Sequence, residues 1–172
     1  MKSPFKRLLS LIAVAALALA TALPASAGSM TDYLENKIVD WAFRAQVFAP
    51  PATLYISLHT GACSDAAVGT EVTGGSYARV AITNALVNWA GTQSAGSTVA
   101  SSGTGGTTSN NGAATFPAPT ANWGVITHFG VFDASTAGNQ WFCAALTASK
   151  TVNNGDAAPS FAAGALTIQI DN

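Results

Sequence analysis

Hydrophobic positions change their spacing twice along this chain. From Leu8 to Leu23 they form an uncharged apolar run, preceded by Lys2, Lys6 and Arg7. That run is shorter than the roughly 20 residues that cross a bilayer. With a basic start and the small residues Ala25-Ser26-Ala27 behind it, it reads as a secretory signal peptide cleaved after Ala27. Residues 1–27 are thus expected to be the signal, and residues 28–172 one mature domain. Over about 31–48, Leu34, Ile38, Trp41, Ala45 and Phe48 recur every three or four residues, so they share one stripe of an amphipathic helix. Ser29 or Thr31 can cap its start, Asp32 and Glu35 sit where the helix dipole favours acids, and Pro50-Pro51 should end it.

Beyond the prolines the period falls to two. Leu54, Ile56 and Leu58 alternate with Tyr55, Ser57 and His59, the pattern of a half-buried strand. After Gly74-Gly75, Ala78, Val80 and Ile82 alternate with Tyr77, Arg79 and Thr83. The stretch from Gly91 to Gly112 is nearly all Gly, Ser, Thr, Ala and Asn, which predicts a long exposed loop or a weak hairpin. Trp123 to Phe132 carries aromatic and β-branched residues on both faces, as a central strand does. Turn residues from Asp133 to Asn139 join it to an antiparallel partner over Gln140 to Leu146. Asn153 to Asp156 is another turn, and Leu166 to Ile170 alternates as a strand with one buried face. The expected fold is mainly β, an antiparallel β-sandwich or jelly-roll-like domain with one N-terminal amphipathic helix at its edge or end.

Charge narrows the range of partners. Charged residues make up 9% of the chain, against about 25% in an ordinary soluble domain. Loss of the signal would leave only Lys37, Arg44, Arg79 and Lys150 as basic residues against eight acids, a net charge of −4. Nucleic acid is therefore not an expected partner, since binding it takes clustered Lys and Arg. No later stretch is apolar enough to span a membrane. Cys63 and Cys143 are an even count in an exported chain, so they either form a disulfide or remain two buried thiols.

Candidate chemistry is thin. Ser57, His59, Asp65, His128 and Asp133 are the raw material of a nucleophilic triad, but no Gly-x-Ser-x-Gly elbow marks a nucleophile. His59 and His128 could form a metal pair only if the fold brought them together. Asp65, Glu71, Asp133 and Asp156 lack the spacing of a calcium loop, and no metal or cofactor is expected. Trp89, Trp123 and Trp141 with Phe116, Phe129 and Phe142 could stack on sugars or fill a core; Trp89 and Trp123, beside turn residues, are the candidate ligand contacts. Leu166, Ile168 and Ile170 are the candidate assembly residues, since their strand could complete a neighbouring subunit.

Several segments resemble a known family. They are Met30-Thr-Asp-Tyr-Leu-Glu-Asn-Lys, Leu54-Tyr-Ile-Ser-Leu-His-Thr60, Gly69-Thr-Glu-Val-Thr-Gly-Gly-Ser-Tyr-Ala-Arg-Val80, Phe116-Pro-Ala-Pro and Ile126-Thr-His-Phe-Gly-Val-Phe-Asp133. Together they look like the small proteins of tailed phages and prophages labelled tail fiber proteins, over essentially the whole mature domain. The resemblance implies a structural role in a virion and carries over no catalytic residue. Gly74, Gly75 and Gly130 are read as structural, a tight turn and a close backbone approach. A virion part assembles in the cytoplasm and needs no export signal, so the chain reads as a phage-derived domain placed behind one. An engineered fusion with Gly28-Ser29 as its scar would look the same. The expectation is a secreted, non-enzymatic structural protein that self-assembles into an extracellular filament or surface appendage. The alternative is an adhesin that binds a cell-surface receptor or glycan.

Overall fold

In the computed structural model, residues 29–94, 96–103 and 105–170 are described; the expected signal peptide and its cleavage site lie outside them. The elements in chain order are β1 (Ser29–Met30), α1 (Asp32–Arg44), β2 (Thr53–His59), β3 (Val80–Thr83), β4 (Thr107–Ser109), β5 (Ala114–Thr115), β6 (Gly124–Phe132), β7 (Gln140–Val152), β8 (Ser160–Phe161) and β9 (Thr167–Gln169). Five strands form an antiparallel sheet in the order β1-β7-β6-β2-β3, and β4–β9 and β5–β8 form two short ribbons. The mainly β, antiparallel expectation with one helix near the N-terminus holds. Among the described residues, no helix is long and apolar enough to cross a membrane.

Register explains the two faces of the sheet. Paired residues share a face and successive residues alternate, so Leu54, Ile56, Leu58, Phe129, Val131, Phe142 and Ala144 line one side. The ribbons close over it: Phe161 of β8 meets Phe129 edge-on at 5.6 Å and Phe116 at 6.3 Å, and Leu166 and Ile168 join the same core. Ser57, His59, Gly130 and Cys143 point to the other side. A disulfide from Cys63 to Cys143 ties the loop after β2 to that side, which settles the choice between a bridge and free thiols. β2 was expected to be half-buried, yet all four residues from Ile56 to His59 are buried, because β6 flanks it and both faces are covered.

The strand expected from Tyr77 starts only at Val80. β3 pairs with Thr53 to Ile56 alone, so the rest of the β2 edge needs other partners. Val72 N–H donates to the Leu58 carbonyl at 3.0 Å, Thr60 N–H to the Thr70 carbonyl at 2.9 Å, and Leu58 N–H to the Tyr77 hydroxyl at 2.9 Å. Tyr77 in turn donates to Glu71 at 2.9 Å, and its ring stacks on Phe116 and meets Trp123 edge-on. Gly74 and Gly75, both at positive φ, make the turn that aims it, and the Gly75 carbonyl accepts the Trp123 indole N–H at 2.9 Å. Arg79 pairs bidentately with Glu71 at 2.7 and 2.8 Å, lies 3.6 Å over the Phe132 ring and donates to the Ala134 and Ala137 carbonyls. Asp133 closes the β6–β7 turn by accepting from the Asn139 backbone and side-chain amides. β7 runs well past the expected Leu146, to Val152.

The helix is shorter than its hydrophobic spacing predicts. It ends at Arg44, where Ala45 turns left-handed at φ 55 and Gln46 N–H closes on the Asp40 carbonyl at 3.0 Å, before Pro50 is reached. Phe48 leaves the helical path and packs on Trp141 with ring centroids 5.4 Å apart. Thr31 holds the N-cap position, but its hydroxyl donates to the Gln140 and Trp141 carbonyls of β7 and fastens the helix start to the sheet.

Candidate functional site

The apolar face of the sheet extends beyond the ribbons that cover it. There Leu54 of β2 and Trp141 and Phe142 of β7 form a floor, Ile168 of β9 one wall, and the segment from Asn84 to Gly91 the other, with Val99 and Ile170 at the rim. The result is an open groove of about 500 Å³ with no charged residue in its lining. Its wall is held by short-range bonds. Asn84 N–H donates to the Ala52 carbonyl at 2.9 Å and its side chain to Pro51 at 2.7 Å; Asn88 and Trp89 N–H both close on Ala85; and Ala90 N–H donates to Ser109 at 2.8 Å. The fully buried Asn110 fixes the far wall, donating to the Gly112 and Ala162 carbonyls and accepting from Leu166 N–H at 2.9 Å.

Trp89 lies on this groove, whereas Trp123 is enclosed among Tyr77 and the Gly75 carbonyl and does not reach it. Ile168 is a core residue of β9, already paired to β4, and Leu166 is buried just before that strand; Ile170 stands exposed at the groove rim. Phe116 and Phe129 fill the core, while Trp141 and Phe142 border the groove. Sequence reasoning passed over Leu86, Val99 and Asn110. Leu86 sits in the short apolar run Ala85-Leu86-Val87 and Val99 alone in a polar stretch, and neither belongs to a periodic pattern. Asn110 is one of two adjacent Asn at the end of a polar stretch, and nothing local distinguishes it from Asn111.

On the opposite face the fold does bring the two histidines together, as cross-strand partners. His59 Nε2 lies 2.7 Å from Ser57 Oγ and its ring stacks near Phe132, while His128 Nδ1 bonds Thr127 at 2.9 Å. Ser57 and His59 are both fully buried, so this hydroxyl–imidazole pair is closed to a substrate in the folded chain. Burial holds the imidazole pKa down at about 4, further depressed by the charges of Arg79 and His128 and partly offset by Glu71. Burial pushes the Glu71 carboxyl up, but its bonds to Arg79 and Tyr77 and the Arg79 charge outweigh this and leave it lowered. Among the described residues, no three of His, Cys, Asp and Glu cluster as a metal site.

Fold and groove together define a small antiparallel β domain whose signature residues build its frame and which carries an open, uncharged apolar groove. Residues 29–169 match the Gp80 family, described as the podophage GP4 fiber I protein gp80, and the chain belongs to that family of phage fibre proteins. No curated protein matches the chain.

Proposed function

We propose that this protein is a non-enzymatic fibre subunit, a phage-derived structural domain that is exported and assembles with copies of itself outside the cell. Membership of a phage fibre family over residues 29–169 carries the reading. The apolar, uncharged groove supports self-association, and the Cys63–Cys143 disulfide supports an oxidising compartment. Sedimentation velocity of the purified protein over a wide concentration range is expected to show oligomers, and N-terminal sequencing of the exported form to begin at Gly28. A particle that stays monomeric at high concentration, or retains its first residues, counts against the corresponding half of the reading.

A second reading is a glycan- or receptor-binding adhesin, favoured by the two indole rings of Trp89 and Trp141 at the groove. It predicts glycan-array hits that Trp89→Ala abolishes, whereas an array without hits argues against it.

A further inference from the structure

Two apolar surfaces on this chain face solvent, and they adjoin. The first is the distal half of α1 and the turn after it, where Trp41 is 60% exposed, Phe43 84% and Val47 96%. Buried contacts sit at the other end of the helix, where Leu34 enters the core and Thr31 bonds β7. The second is the groove, whose rim residues Leu86 and Val99 are also exposed. Phe48 connects the two, because it follows the helix and packs on Trp141, which lines the groove. Within one copy the helix is pinned at its start, and Trp41 and Phe43, on different sides of it, are both exposed.

The surfaces match in chemistry. No groove-lining residue is charged, and the charges near the helix end, Asp40 and Arg44, pair with each other at 3.1 Å. A helix end entering this groove therefore strips water from no unpaired charge. A volume of about 500 Å³ also falls within the roughly 300–1,000 Å³ of pockets that bury a compact apolar group.

We propose that the apolar end of α1, through Phe43 and the Val47 that follows it, seats in the groove formed by Leu86, Trp89 and Val99 of a second copy of this chain. The proposal rests on the self-assembly reading and specifies its contact. Helix end and groove are two different surfaces of one chain, so the contact can close as a reciprocal pair or repeat from copy to copy along a fibre.

Size-exclusion chromatography with light scattering on the purified protein tests this, using wild type, Phe43→Asp, Leu86→Asp and a one-to-one mixture of the two variants. Both positions are exposed, and an unchanged melting temperature confirms that the variants fold. Each substitution alone is expected to weaken association by roughly thirtyfold. The mixture is expected to form heterodimers, since each variant supplies the surface the other lacks. Wild type that assembles while either variant assembles equally well overturns this contact and leaves self-assembly standing. A mixture that fails to associate also overturns it. Wild type that stays monomeric, with or without glycan in the groove, overturns both readings.

Discussion

Arg79 fastens three parts of the molecule through one guanidinium: Glu71 beside the β2 edge, the Phe132 ring and the carbonyls of the β6–β7 turn. Its place in a Gly-Gly-Ser-Tyr-Ala-Arg motif was visible in the sequence, but its task was not. The carbonyls lie 55 and 58 residues away and converge only when the sheet forms. The same holds for His59 and His128, whose meeting is a matter of register between strands distant in sequence. Burial of His59 makes stability depend on pH. Its folded pKa of about 4 is below the usual 6.5, so between those values the unfolded chain takes up a proton that the folded one does not. Stability should therefore fall as pH drops from about 6.5 to about 4, by on the order of 3 kcal/mol. Below the usual carboxylate range, protonation of Glu71, whose pKa folding lowers, removes more. Thermal unfolding at pH 7 and pH 4.5 checks this, and His59→Gln should flatten the slope. Gly130 is a second sensitive position, because an added Cβ would lie 2.7 Å from Ser57 Oγ and 2.8 Å from Gln140 Nε2. Gly130→Ala should cost about 2 kcal/mol in denaturant unfolding; an unchanged midpoint would mean the strand yields there.

At the scale of elements, alternation and turn chemistry revealed β2, β6 and β7 well, because half or more of each strand packs by a regular pattern. The short ribbons were less legible: β4, β5 and β8 have two or three residues each, too few to show a period. The helix end was misplaced for a physical reason, since the pull of Trp141 on Phe48 is a tertiary contact that the spacing of Phe48 mimics. Ala45 holds a left-handed conformation that favours glycine, so Ala45→Gly should stabilise the fold by up to about 1 kcal/mol, read from urea unfolding. The disulfide joins segments 80 residues apart. Reducing it should lower the unfolding free energy by about 4 kcal/mol in the chain-entropy account, measured by denaturation with and without reductant. A loss near zero would mean that the sheet alone fixes the loop after β2.

For the whole molecule, the fibre family and the open apolar surfaces point the same way. The segments that carried the resemblance supply Glu71, Gly75, Tyr77, Arg79, Phe116, Phe132 and Asp133, a connected frame around the end of β2. These residues build the fold, and the family they mark is one of phage fibre proteins. The groove was only partly legible: Trp89 stood out by its chemistry, whereas Leu86 and Val99 come from loops whose positions depend on β4, β9 and Asn110. Electron microscopy of the purified protein addresses the central claim most directly. The account predicts discrete multi-subunit particles or fibres whose number rises with concentration, and a field of separate single domains at every concentration would contradict it.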